Sequence, residues 1–246
     1  MTAHVHWVPD LDGAVAGSLV EVTGDEAHHA VAVRRLRTGE QVVLTDGSGT
    51  SLTGAVAEVA KRRFTVLVAE RRVEARPVPR IVVVQALPKG DRGELAVEML
   101  TELGVDTIVP WAASRCVAVW RGERAERSRA KWAATAREAA KQARRSWFPE
   151  VTALVSTDDV VGLISSAAQA FVLHEEAWAT LAGVAPDPVG PILLVVGPEG
   201  GVSPEEVEAF AQAGAPAVRL GTEVLRTSTA GVAAVAALLA RSRRWS

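Results

Sequence analysis

The stretch with the most chemical content is Gly197-Pro198-Glu199-Gly200-Gly201. It follows the apolar run Leu193-Leu194-Val195-Val196 and precedes Val202-Ser203-Pro204-Glu205-Glu206, which reads as a capped helix start. A second stretch of like design joins Val218-Arg219-Leu220-Gly221 to Leu225-Arg226-Thr227-Ser228-Thr229. Backbone without Cβ atoms admits unusual dihedrals and lets a flat ligand approach the main chain. Free N–H and C=O groups in such loops can read an adenine edge or hold a ribose. With Leu173-His174-Glu175, three segments leave strands in this way, and in open parallel sheets ligands sit at the carboxyl ends of strands. One such loop alone reads first as a tight turn; three together point to a nucleoside-like ligand.

Other chemistries find less support. The chain has no G-x-x-x-x-G-K-[ST] and no G-x-G-x-x-G opening a helix after the first strand of its α/β part, which argues against NTP hydrolysis and a standard dinucleotide fold. The five histidines, His4, His6, His28, His29 and His174, lack metal-ligand spacing with carboxylates, so no metal is expected. A single cysteine, Cys116, excludes internal disulfides.

The elements that must position these loops fall into two parts. Residues 1–73 are β-rich, with short alternating runs at 18–22, 41–45, 51–59 and 64–70 and a helix over 25–35 that Asp25 could cap. So many short strands in so few residues suggest a small barrel. Residues 74–79 form a proline-stiffened linker. From residue 80 to 246 strands and helices alternate: strands over 81–86, 107–109, 151–155, 170–173, 192–196 and 217–220, and helices over 93–103, 123–145, 158–167, 204–213 and 228–241. That order implies crossovers and a mostly parallel sheet with helices on both faces, hence an α/β fold. No apolar run reaches the ~20 residues of a membrane helix. No signal peptide opens the chain, so a cytoplasmic location and no membrane partner are expected.

The net charge of -2 conceals a segregation. Residues 111–149 hold ten Arg or Lys against three Glu, whereas residues 150–218 hold ten Asp or Glu and no Arg or Lys. On the long helix Arg137, Lys141 and Arg145 recur every four residues, as do Arg127 and Lys131, giving a basic stripe. In isolation that run reads as a solvated face, and the segregation sets a basic surface beside an acidic one that the total conceals.

The second half resembles the SPOUT class of RNA methyltransferases, and the whole chain resembles the bacterial 16S ribosomal RNA uridine-N3 methyltransferase family. The motifs that carry the resemblance are Arg34-Arg35-Leu36-Arg37-Thr38-Gly39-Glu40, Lys89-Gly90-Asp91-Arg92, Thr101-Glu102-Leu103-Gly104-Val105, Ser114-Arg115, Glu138-Ala139-Ala140-Lys141-Gln142 with Arg145, Gly197-Pro198-Glu199-Gly200-Gly201 and Leu225-Arg226-Thr227. The resemblance implies a PUA-like β-barrel for RNA over 1–73 and a SPOUT domain with a C-terminal trefoil knot over 80–246. It implies S-adenosylmethionine as the methyl donor, a homodimer whose site draws on both subunits, and 16S ribosomal RNA or the assembled 30S subunit as substrate. The chain departs from the family pattern at Ala3-His4-Val5-His6, Met99, Glu223 and Ser228, positions that bear on RNA contacts more than on the cofactor.

Within that frame the cofactor-binding candidates are Leu173, His174, Glu175, Gly197, Pro198, Gly200, Leu220, Gly221, Leu225, Thr227 and Ser228. The start of the last helix offers free N–H groups suited to a carboxylate. RNA-binding candidates are Arg34, Arg35, Arg37, Arg115, Arg137, Lys141 and Arg145. Methylating uracil at N3 requires an unpaired or flipped base. Arg226 is the first candidate to stabilise charge on the uracil oxygens, with an ion pair to Glu223 or another carboxylate as the competing role. Glu199 or His174 could orient the base or accept a proton, with tying down its own loop as the competing role for Glu199. A non-catalytic RNA-binding assembly factor, or a methyltransferase of another RNA position, remains the alternative.

Overall fold

A computed structural model describes residues 3–245 and divides the chain into two compact units. The first comprises the chain up to Arg76 together with Lys141–Phe148; the second comprises Pro77–Ala140 and the chain from Pro149 onward.

The first unit is a five-stranded sheet with strands β1 (His4–Trp7), β2 (Leu19–Thr23), β3 (Gln41–Thr45), β4 (Thr50–Ala60) and β5 (Arg63–Val73), ordered β1-β3-β4-β5-β2. Alternation along β4 and β5 turns Leu52, Val56, Phe64, Val66 and Val68 inward, where they meet Val22, Leu44 and Ala27. Gly54 marks a shift in the β4–β5 register; a Cβ there would run into the Leu67 carbonyl. The helix expected over 25–35 is shorter and irregular: α1 spans Gly24–His28, a π-helical turn follows over His29–Val33, and Arg35 takes a φ of 56°. The β-branched Val31 and Val33 sit poorly in an α-helix, and the extra residue of the π turn carries the chain out of it. Asp25 does not cap it either, since Thr23 holds the cap position without a side-chain bond.

The segment after the long helix completes this unit. The helix ends at Gln142, three residues before the expected limit, and Arg144 has a φ of 55°. Gly47 and Gly49 have positive φ, and Cβ atoms there would strike the rings of Phe148 and Trp147. Trp147 Nε1 donates to the Glu74 carbonyl at 2.9 Å, and Phe148 N–H donates to the Gly47 carbonyl at 2.9 Å.

The second unit holds β6 (Ile81–Ala86), α2 (Arg92–Leu103), β7 (Thr107–Trp111), α3 (Glu123–Gln142), β8 (Glu150–Val151), α4 (Thr157–Ser166), β9 (Gln169–Leu173), β10 (Ile192–Val196), α5 (Pro204–Gln212), β11 (Ala217–Val218) and α6 (Thr227–Leu239). The six strands pair in parallel in the order β11-β9-β10-β6-β7-β8. Every residue of β10 is buried, because helices cover both faces. Leu194 and Val196 join Val97 and Leu100 of α2 and Val235 of α6; Leu193 and Val195 join Val160 and Ile164 of α4 and Phe210 of α5. Gly231 lets α6 lie close, since a Cβ there would approach Val196 Cγ2 at 3.1 Å. Two expected strands shorten: β8 stops at Val151, although Val155 still bridges Trp111, and β11 stops at Val218, after which Arg219 leaves the sheet order and bridges Thr180 instead. Among the described residues no helix is long and apolar enough to cross a membrane.

Candidate active site

Strand order reverses at β6, which has β7 on one side and β10 on the other, and in parallel sheets such a switch opens a crevice at the carboxyl ends. A cavity of about 290 Å³ lies beyond the ends of β9, β10 and β11. The three strand-exit segments form its walls: Leu173, His174 and Glu175 after β9; Gly197, Pro198, Glu199 and Gly201 after β10; Leu220, Gly221, Leu225, Arg226 and Thr227 after β11.

Local chemistry explains these loops. Gly201 takes a φ of 73° and donates its N–H to the Pro198 carbonyl at 2.9 Å, closing a tight turn. A Cβ at Gly197 would lie 2.8 Å from Val202 Cγ2, so only glycine lets the loop fold back. The chain then enters α5 through a capping box in which Ser203 and Glu206 exchange hydrogen bonds. Glu206 is buried and also accepts from Ser114 N–H at 2.8 Å and Thr157 Oγ1 at 3.1 Å, anchoring three segments with one carboxylate. On the far wall, the Thr227 hydroxyl donates to the Gly197 carbonyl at 2.7 Å and accepts from Gln85 Nε2 at 3.0 Å. The first turn of α6 is thereby fixed to the ends of β6 and β10.

The lining is electrostatically mixed, with Arg92, Arg219 and Arg226 set against Glu175, Glu199 and Glu223. None of the three guanidinium groups forms an ion pair or side-chain hydrogen bond among the described residues. The Arg226–Glu223 pair weighed from sequence is therefore not formed. Glu199 Oε1 accepts the Lys89 N–H at 3.2 Å, so its carboxylate ties the β10 exit to the loop after β6. His174 Nδ1 accepts the Glu176 N–H at 3.2 Å, which ties the ring to the loop after β9. Burial pushes the Cys116 thiol up, and the carboxylates of Glu206 and Glu199 add to that, which keeps it protonated. No cluster of His, Cys, Asp and Glu suited to a metal occurs among the described residues.

The cavity gathers nine of the eleven cofactor candidates; Gly200 and Ser228 fall outside its lining. Gly200 instead makes room for Arg115, whose Cβ would stand 3.2 Å from an added side chain, and Arg115 Nη1 donates to the Gly200 carbonyl at 3.3 Å. Ser228 is buried in the first turn of α6. Both catalytic candidates, Arg226 and Glu199, line the cavity. Sequence reasoning passed over Arg92, Arg219 and Gln85. Arg92 stands in the Lys89-Gly90-Asp91-Arg92 motif, and the signal available was that this motif leaves the strand next to β10.

The RNA candidates separate. Arg34, Arg35 and Arg37 are exposed on the first unit, with Arg34 Nη1 2.9 Å from His4 Nδ1. Arg115 is exposed, and Arg137 and Arg145 are half-buried. Lys141 requires correction. Its ammonium reaches both oxygens of Glu26, at 2.8 and 3.1 Å, with its side chain only 10% exposed, so it faces inward. A basic stripe spaced every four residues does not reveal which member meets a buried carboxylate 115 positions away.

A family profile described as an RNA methyltransferase domain matches residues 74–239, and one described as an RNA methyltransferase PUA domain matches residues 22–69. The chain belongs to the ribosomal RNA small subunit methyltransferase E family. It is 45% identical to the curated protein of that name from Mycobacterium tuberculosis, over all of this chain and 93% of the relative. It is 32% identical to the one from Bacillus subtilis, over 88% of each. A methyltransferase of Legionella pneumophila solved with bound S-adenosylmethionine superposes with a TM-score of 0.88 at 28% identity, over 98% of this chain and 99% of that one. The Neisseria gonorrhoeae enzyme of the same family, solved with S-adenosylmethionine, gives 0.86 at 26%, over 97% and 98%.

Proposed function

We propose that this protein methylates N3 of a uridine in 16S ribosomal RNA, using S-adenosylmethionine, within the small ribosomal subunit. The observation that carries the reading is the convergence of three strand-exit loops on one cavity, locked by the Gln85–Thr227–Gly197 hydrogen bonds, with Arg226 unpaired at its rim and Glu199 beside it. The residues present fit the cofactor. Gly221 lines the cavity and a Cβ there would meet only the Glu223 carboxylate, at 3.4 Å, so a side chain would occupy ligand space. Leu173, Leu220 and Leu225 would cover a purine, backbone of Gly197 and Pro198 would read its edge, and Glu175 would take hydroxyl or ammonium protons. The amides at the start of α6, which no side chain caps, would receive the methionine carboxylate. When bound, this cofactor supplies an electrophilic methyl group.

The chain's residues supply the rest. The loops exclude water and align the base. Glu199 accepts the N3 proton, and Arg226 offsets the charge that grows on the uracil oxygens. Arg34, Arg35, Arg37, Arg115, Arg137 and Arg145 would contact phosphates, adding salt-dependent affinity. The reading includes a cytoplasmic setting, a PUA-like barrel over 1–73, a catalytic domain over 80–246 with a trefoil-knotted C-terminal end, and a homodimer. Trp178, 95% exposed on the β9 exit, and Val224, 74% exposed on the β11 exit, are apolar surface that a second copy would cover.

The test is mass spectrometry of ribosomal RNA from a strain lacking this protein. One N3-methyluridine is lost, restored by the wild-type gene and not by Arg226→Ala. An unchanged modification profile overturns the reading.

A further inference from the structure

A second cavity, of about 570 Å³, adjoins the first. Lys89, Asp91, Leu95 and Val117 line it, together with Arg92 and Glu199, and these last two are the residues that also line the first cavity. The boundary between the two spaces is thus one residue that only donates hydrogen bonds and one that only accepts them.

That pairing has a chemical complement. The imide edge of uracil places a donor, N3–H, beside an acceptor, a ring carbonyl. A base in the second cavity with its N3–H toward Glu199 sets that carbonyl toward Arg92. Cytosine would point a lone pair at the carboxylate instead. The apolar surfaces of Leu95, 46% exposed, and Val117, 72% exposed, offer cover for a planar ring. Arg92 opens α2, where the helix dipole favours negative charge, its cap residue Asp91 makes no side-chain cap bond, and its guanidinium has no partner among the described residues. Glu199 is held in place by the Lys89 amide.

We propose that the second cavity seats the flipped-out target uracil and that Arg92 is a catalytic residue that holds the carbonyl oxygen next to N3. The proposal rests on the uridine-N3 reading above. The N3–H bond breaks, its proton passes to Glu199 and then to water, and its electron pair forms the N3–CH₃ bond. The pair of the S–CH₃ bond returns to sulfur, so the sulfonium becomes a neutral thioether. Negative charge on the ring carbonyls peaks before the new bond is complete, and a guanidinium there lowers that barrier.

The test uses the full-length protein and 30S subunits from a strain lacking the modification. Arg92→Ala lowers kcat roughly 100-fold or more, while calorimetric S-adenosylmethionine binding without RNA is unchanged. Its activity recovers toward alkaline pH, where N3 ionises unaided. Val117→Trp, a change at an exposed position that fills the cavity, lowers kcat/KM about tenfold or more with cofactor binding intact. The proposal is overturned if Arg92→Ala keeps wild-type kcat, if it loses cofactor binding in step with activity, or if Val117→Trp methylates normally. A wild-type protein that binds cofactor without transferring methyl groups to these subunits would sink the enzymatic reading itself, a distinct result.

Discussion

Gln85 Nε2 donates to Thr227 Oγ1 at 3.0 Å across 142 positions of sequence, and the Thr227 hydroxyl passes on to the Gly197 carbonyl at 2.7 Å. Two loops of the candidate cofactor cavity therefore share one buried hydroxyl. Thr227→Val keeps the volume and removes the relay; the buried Gln85 amide keeps its bond to the Ala86 carbonyl but loses this second one, and the half-buried Gly197 carbonyl loses the Thr227 hydroxyl. The expected cost is about 1–3 kcal/mol. Calorimetry should show S-adenosylmethionine binding weakened roughly tenfold, because misplacing one loop costs on the order of 1.4 kcal/mol. Unchanged affinity would show that the relay serves stability alone.

The first unit carries a pH response of its own. Burial raises the Glu26 carboxyl, but hydrogen bonds from His6 and Lys141 and the Lys141 charge outweigh it, bringing the pKa down to about 2 from 4.5. A depressed carboxyl contributes stability that is fully present above the unfolded value, near 4.5, and is lost as pH falls through about 2. At neutral pH the contribution is on the order of 3 kcal/mol. Hydrogen exchange of β2 to β5 amides should accelerate across that window. Lys141→Met removes the principal cation and should move the onset to higher pH; an unmoved onset would contradict the assignment.

The C-terminal Arg244 closes the second unit. Its guanidinium donates to Asp106 Oδ2 at 2.6 Å, the Gly104 carbonyl at 2.7 Å and the Pro79 carbonyl at 3.1 Å, while Asp106 also accepts the Ile81 N–H at 2.8 Å. With side chains 10% and 2% exposed, this pair is shielded from salt. Arg244→Ala leaves a buried carboxylate uncompensated and should cost about 3 kcal/mol in urea unfolding, with little change between low and high ionic strength. A loss that shrinks steeply with added salt would mark the pair as a surface contact.

What the sequence made legible was local. The buried run of β10, the Ser203–Glu206 capping box and the left-handed Gly104 after α2 depend on neighbours within a few residues, and each stands where expected. The glycines after β10 were recognisable because turns and close approaches restrict residue type. Partners distant in sequence were not. Nothing near Lys141 reveals Glu26, nothing near Thr227 reveals Gln85, and Arg92 shows its place only once β6 pairs with β10. The π turn after His28 escaped for another reason: apolar periodicity cannot detect one inserted residue.

Glu199 carries two assignments that a pair of variants separates. Its Oε1 accepts the Lys89 amide, a structural task that any side-chain carbonyl at the same reach can perform. Receiving the N3 proton requires a carboxylate. Glu199→Gln keeps the acceptor and abolishes the base, so cofactor affinity and melting temperature should hold while kcat falls about 100-fold. Its pH–rate profile should become log-linear with alkaline pH, because hydroxide replaces the missing acceptor. Glu199→Ala removes both tasks and should weaken cofactor binding as well, since the β10 exit is no longer tied to the loop after β6. If Glu199→Gln matches the wild type in kcat while Glu199→Ala fails, the carboxylate is a tether alone. The proton must then leave the uracil directly to water, with the arginines carrying the charge.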